Sequence, residues 1–210
     1  ELRFGIDGSV LTAITTSNTS TGSYNSMHDS YTPVGGMVLM INLLLGEIVF
    51  GGLGSGLYSM LMVVLLALFL CGLMVGRTPE YLGKKLGPSE TRMITIYTLA
   101  GTFAILIPTA IAVASPAGLA GLTTNKGAHG LSEILYAYAS SMANNGQNFA
   151  GLSANSPFYN TTTALVMLVG RFGLAVVALA LAGLLATQRR RSISEGTFPA
   201  DAPLFAIVVI

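Results

Sequence analysis

Charge is what this 210-residue sequence has least of: 9% of its residues are Asp, Glu, Lys or Arg, against 52% that are apolar. A soluble domain carries about 25% charged residues. The apolar residues also come in runs too long for one water-soluble core, and the mean hydropathy is +0.68. Tryptophan is absent and Cys71 is the only cysteine. A lone cysteine excludes an internal disulfide and a cysteine-rich metal site, so Cys71 reads as a small apolar residue of a membrane helix. The net charge of +1 carries no signal of nucleic-acid binding, and none is expected. No signal peptide opens the chain. It begins with Glu1 and its last apolar run, Pro203 to Ile210, is too short to cross a bilayer. It therefore reads as an internal stretch of a longer protein.

Residues 1–33 are small and polar, with a short helix expected around Ser9 to Thr16. Residues 34–75 are almost wholly apolar, interrupted by Gly46, Glu47 and the cluster GGLGSG at 51–56. A polar, basic stretch occupies 76–92. Spanning helices are expected at 93–114 and 161–187, and a short amphipathic helix at 131–143. Arg77, Lys84, Lys85 and Arg92 lie in one loop and Arg189, Arg190 and Arg191 in another. The excess of basic residues places both loops in the cytoplasm. The segment between the two spanning helices then starts and ends outside. Its helix at 131–143 is about 20 Å long at 1.5 Å per residue, too short to cross, so it dips in and returns. A single straight helix over 34–75 would be about 63 Å. The better reading is one inward crossing broken at the glycines, where non-helical backbone lines a cavity.

The two halves share an order: short helix, polar loop with a central glycine, apolar inward helix. Gly22 and Gly146 are 124 positions apart, and so are Gly46-Glu47 and Gly170-Arg171. One offset linking both loops and helices predicts an internal repeat, a common plan in transporters with the ion site at the repeat interface. The loops Ser20-Thr21-Gly22-Ser23-Tyr24 and Asn144-Asn145-Gly146-Gln147-Asn148 contain no acidic residue. Ca²⁺ and Mg²⁺ sites ordinarily use carboxylates. Backbone carbonyls instead replace the water of a dehydrated monovalent cation, and glycine lets the backbone turn them inward.

Glu47 and Arg171 are charges within apolar helices, which are costly and mark function by default. At matched repeat positions they are expected to face the interior and interact. Gly76 to Lys85 superficially suggests a phosphate loop, but six residues separate its glycines and Lys85 stands where Ser or Thr belongs. It reads as a basic cytoplasmic loop. His28 and Asp29 invite a catalytic reading, but no nucleophile accompanies them. Local hydrogen bonding is expected there. Glu133 is expected to favour the dipole at the start of its helix.

The segments TGSYNSMHDS, GEIVFGGLGSGLY, GLMVGRTPEYLGKK, HGLSEILYAYASSMANNGQNFAGLSANSP and GRFG closely resemble the potassium-binding A subunit of the bacterial Kdp potassium-transporting ATPases, over essentially the whole chain. The resemblance implies an all-α integral membrane fold of membrane–pore–membrane repeats with re-entrant pore loops, in the superfamily of potassium channels and Trk, Ktr and HKT transporters. Residues 1–90 then form the third repeat, 91–195 the fourth, and 196–210 the start of a final helix. Ser20, Thr21 and Gly22 match the third potassium filter stretch, and Asn144, Asn145 and Gly146 the fourth. Thr21 stands where family members often carry Cys. The resemblance favours an inner gate at the glycine break, with Gly52 and Gly54; the matched repeat position separately assigns Arg171 to the field below the filter. The resemblance further implies a non-hydrolytic subunit of an uptake pump in the bacterial inner membrane. Its cargo is K⁺, and ATP and Mg²⁺ are bound by a P-type ATPase B subunit. A C subunit and a small F peptide complete the complex. The sequence has no Asp-Lys-Thr-Gly phosphorylation motif, which fits that role. The competing expectations are an ATP-independent channel or transporter of the same superfamily, and an intramembrane enzyme built on His28 and Asp29.

Overall fold

The computed structural model describes residues 2–49, 51–52, 55–190, 196, 198 and 205, with the backbone alone at 46–49. Its elements in order are α1 (Gly5–Asn18), a 3₁₀ turn (His28–Ser30), α2 (Pro33–Val49), α3 (Ser55–Val75), β1 (Glu80–Tyr81), β2 (Lys84–Lys85), α4 (Pro88–Ala114), α5 (Pro116–Leu119), α6 (Ala128–Ala143), α7 (Pro157–Leu168) and α8 (Leu174–Thr187). A π-helical stretch, Val169–Gly173, joins α7 to α8 in one rod.

Among the described residues three helices are long and apolar enough to cross a membrane: α3 with 21 residues, α4 with 27 and the α7–α8 rod with 31. At 1.5 Å per residue even α3 reaches about 31 Å, the thickness of a bilayer's hydrocarbon core. Large apolar side chains such as Phe103, Leu106, Ile107 and Leu179 point outward from these rods. Length, hydropathy and outward apolar side chains together are those of a membrane protein.

Proline starts several helices, at Pro33, Pro88, Pro116 and Pro157. Its fixed φ suits the first helical position, where no amide hydrogen is needed. Pro33 and Pro157 are themselves 124 positions apart. Polar first turns explain why α4, α6 and α7 begin three to five residues earlier than their apolar periodicity suggests. α2 and α3 are separate helices, as the glycine cluster predicts. By length and hydropathy α3 alone is able to cross a bilayer, while α2 is shorter.

The basic stretch expected as a plain loop folds its middle into a hairpin, with Glu80 opposite Lys85 and Tyr81 opposite Lys84. Leu82 and Gly83 both take positive φ, 52° and 77°, the geometry of a tight two-residue hairpin turn. Lys84 Nζ donates to the Leu185 carbonyl at 2.5 Å, and Gln188 Nε2 to Glu90 Oε1 at 2.6 Å. The start of α4, the end of α8 and the hairpin therefore share one end of the molecule, and the two basic segments lie together there. At the opposite end Tyr159 Oη donates to the Gly118 carbonyl at 2.7 Å, tying the start of α7 to α5.

α6 sits at the centre. Tyr136 and Ala139 pack with Ala13, Leu39, Leu43 and Phe149 on one side. Ile134, Tyr138 and Met142 pack with Ala112, Tyr159 and Val166 on the other. A short helix that buries both flanks fixes whatever leaves its C-terminus.

Candidate functional site

The two sequence-predicted loops leave the C-terminal ends of α1 and α6. Their backbones match. Ser20 and Asn144 both have φ of 57°, while Gly22 and Gly146 have φ of 75° and 79°. The residues between, Thr21 and Asn145, do not take positive φ. Left-handed residues flanking a normal one rotate successive peptide planes and bring neighbouring carbonyls towards one side. A non-glycine residue in this region costs about 1–2 kcal/mol, so Ser20 is held there by its surroundings. Both helices also present their carbonyl ends, the negative pole of the helix dipole, at the loops. The arrangement attracts a cation without a carboxylate.

The loops touch. A Cβ at position 22 would overlap the Asn145 carbonyl oxygen. Ser20 Oγ donates to the Ala143 carbonyl at 3.3 Å. Tyr24 Oη donates to the Asn148 carbonyl at 2.9 Å and accepts from the Asn148 amide. Thr21 is exposed, its Oγ1 2.6 Å from that of Thr19.

Side chains of α6 and its own loop hold the second loop. Asn145 Oδ1 accepts from Ser140 Oγ at 2.6 Å and from the Gln147 amide at 3.0 Å. Tyr136 Oη donates to Gln147 Oε1 at 3.2 Å, both residues being buried. Asn144 caps α6 in the left-handed conformation and donates to the carbonyls of Met142 and Met167 at 3.1 and 3.3 Å. The second of these bonds reaches the α7–α8 rod just before its π-helical stretch.

That stretch was not legible as such. Its signal is the pair Gly170 and Gly173 within an apolar helix. Gly170 lies against the end of α6, where a Cβ would overlap the Met142 carbonyl. Arg171 is exposed and lines a cavity of ≈ 490 Å³ together with Tyr58, Ser59, Asn144 and Gly170. The cavity lies between α2, α3, α4, the end of α6 and the π-helical stretch.

Gly52, in the break between α2 and α3, lies beside the first loop. A Cβ there would stand 3.3 Å from Ser20 Cβ and 2.6 Å from Ser55 Oγ. Gly54 and the Glu47 side chain lie outside the described residues, as does any Glu47–Arg171 contact. The structure thus brings the two loops together through Ser20, Gly22 and Asn145, with Gly52 beside Ser20 and Arg171 in the cavity that Asn144 also lines.

Two smaller expectations need correction. Among the described residues Asp29 reaches across the chain, to Thr124 at 3.3 Å, Asn125 at 3.1 Å and His129 at 2.7 Å. His28 is buried between the rings of Tyr24 and Tyr31, at 4.7 and 5.4 Å, and burial lowers its pKa. Glu133 lies beyond the first turn of α6 because the helix begins at Ala128. It is 1% exposed and accepts from Asn125 at 3.0 Å. Burial, not the helix dipole, dominates its surroundings.

The profile of the potassium-transporting ATPase A subunit family matches residues 1–210. The chain belongs to that family. It is 53% identical over 209 residues to the potassium-transporting ATPase potassium-binding subunit of Polynucleobacter asymbioticus and 53% over 210 residues to that of Paracidovorax citrulli. To the Pseudomonas putida protein of the same name it is 52% identical over 205 residues. These alignments cover 98–100% of this chain. The chain spans only 35–36% of the length of these curated relatives.

Proposed function

We propose that this chain is part of the potassium-binding and translocating subunit of an ATP-driven K⁺ uptake pump in the bacterial inner membrane. The observation that carries the reading is the pair of matched, touching loops at the ends of α1 and α6, in a member of this family. In this reading residues 1–90 and 91–195 are two membrane–pore–membrane repeats, and α1 and α6 are pore helices that enter the membrane from outside and return. The carbonyls of Ser20, Thr21, Gly22, Asn144, Asn145 and Gly146 supply part of an oxygen cage for dehydrated K⁺, which loops elsewhere in the protein complete. K⁺ is the cargo. A weakly hydrated monovalent ion exchanges water for carbonyls at lower cost than a divalent one, and the negative helix ends favour it without binding it too tightly to leave. Below the loops, the break at Gly52 and Gly54 acts as an inner gate. The Arg171 guanidinium raises the local potential in the cavity and limits how far a cation descends before the gate moves. Glu47, one turn before the break, is the acidic counterpart of Arg171 in the other repeat.

The chain does no hydrolysis in this scheme. A P-type ATPase B subunit binds ATP and Mg²⁺, and the C subunit and F peptide complete the complex. The names of the relatives support a subunit of such an ATPase. The test is ATPase activity of the complete purified complex, stimulated by K⁺ or by Na⁺, with and without Gly146→Ala. Stimulation that strongly prefers K⁺, and a weaker preference in the variant, is the expected result. An unchanged preference would make Gly146 an ordinary loop glycine. No K⁺ stimulation in an intact complex would favour an ATP-independent channel or transporter instead.

A further inference from the structure

Three potential metal ligands meet outside the two loops. His129 and Glu133 are four residues apart on α6 and so share a face. Asp29 arrives from the segment that follows the first loop. His129 Nε2 is 2.7 Å from Asp29 Oδ1 and 3.7 Å from Glu133 Oε1. The three donor atoms lie within 4.8 Å of one another. Imidazole nitrogen and carboxylate oxygen bind Zn²⁺ at about 2.0–2.2 Å, so two ligands in its tetrahedral shell stand about 3.3–3.6 Å apart. The His129–Glu133 separation is close to that distance, while the hydrogen-bonded His129–Asp29 pair must open and the Asp29–Glu133 pair must close by up to about 1.3 Å as an ion enters.

The cluster is short of positive charge and of donors. Among the described residues, His129 is the only side chain able to carry positive charge within ion-pair distance of either carboxylate. Glu133 Oε2 is buried with no hydrogen-bond partner, on a side chain that is fully enclosed. An unpartnered buried carboxylate oxygen is costly and calls for a cation or a proton. Asn125 Nδ2 stands 3.0–3.1 Å from four oxygens: both of Asp29, Thr124 Oγ1 and Glu133 Oε1. An amide nitrogen has two protons to donate, so a shell of four acceptors exceeds what it can satisfy. Gly151 lets the backbone pack directly against the cluster, since a Cβ there would overlap Glu133 Oε1 and Thr124 Oγ1.

We propose that Asp29, His129 and Glu133 bind a divalent transition-metal ion, and that this ion clamps the segment after the first loop to α6. One imidazole and two carboxylates suit Zn²⁺ or Mn²⁺; the absence of thiolate from the set disfavours the softer ions. The site is separate from the carbonyl loops and takes a different class of ion from the transported one.

The test uses the full-length subunit in its purified complex, stripped with chelator and dialysed against ZnCl₂ or MnCl₂. Bound metal is counted by elemental analysis and the melting midpoint is followed with and without metal. Wild type should hold one more equivalent of Zn²⁺ per complex than His129→Ala or Glu133→Gln. Affinity at this site should fall at least about tenfold in each variant, since even outer-shell changes cost that much. Zn²⁺ should raise the midpoint of wild type and not of the variants. Glu133→Gln preserves the side chain's size and its acceptor for Asn125, so a folded Gln variant separates metal loss from collapse. Equal metal content in wild type and variants would overturn the proposal. So would a midpoint insensitive to Zn²⁺, which would leave a hydrogen-bonded His–carboxylate clamp. Neither result depends on K⁺ stimulation.

Discussion

Gly22 and Gly146 hold the same place in two loops but are constrained differently. Both need positive φ, which costs another residue about 1–2 kcal/mol. Gly146 has open space where a side chain would begin, while Gly22 is pressed against the Asn145 carbonyl. Gly146→Ala should therefore leave the complex folded and weaken its preference for K⁺. Gly22→Ala must also push the second loop away, and should abolish K⁺-stimulated ATPase activity. Measuring both variants side by side checks this; equal effects would mean that φ alone matters and that the loop contact does not. The sequence marked both glycines through their spacing. It could not distinguish them, because the difference lies in a carbonyl 123 positions further along the chain.

At the scale of elements, α6 is the support of the second loop. Tyr136 and Gln147 form a buried pair, and Gln147 Nε2 has no other partner. Tyr136→Phe would leave both ends of that amide unpaired, which costs about 1–3 kcal/mol. The expected outcome is a lower melting midpoint and weaker K⁺ stimulation. Removing both polar partners in Tyr136→Phe/Gln147→Leu should recover most of the midpoint, since an apolar pair of similar shape leaves nothing unsatisfied. A double variant as unstable as the single one would show that packing, not the hydrogen bond, sustains the pair. α6 was legible as a short amphipathic helix, but its start was placed three residues late. That shift moved Glu133 out of the first turn and changed its role from dipole partner to buried carboxylate.

Across the whole molecule, Lys84 ties the hairpin to the end of α8, and Gln188 ties that end to Glu90 at the start of α4. A cation at a helix C-terminus contributes about 0.3–1 kcal/mol. Lys84→Met should lower the melting midpoint slightly and leave the preference for K⁺ over Na⁺ unchanged, because the loops lie at the ends of other helices. A change in ion preference would mean that the two ends are coupled through the rods. The gathering of the two basic segments at one end was expected from the distribution of Lys and Arg alone. Membrane character, the approximate spans and the glycine-centred loops at an offset of 124 were also set by the order of residues along the chain, since hydropathy, charge bias and repeat spacing are one-dimensional properties. The tertiary structure decided what meets what. It pressed Gly22 against Asn145, set Gly52 beside Ser20, opened the π-helical stretch where Gly170 meets α6, and brought Asp29 to His129 across 100 positions. No local pattern announces such contacts, because each depends on how separately formed helices pack around α6.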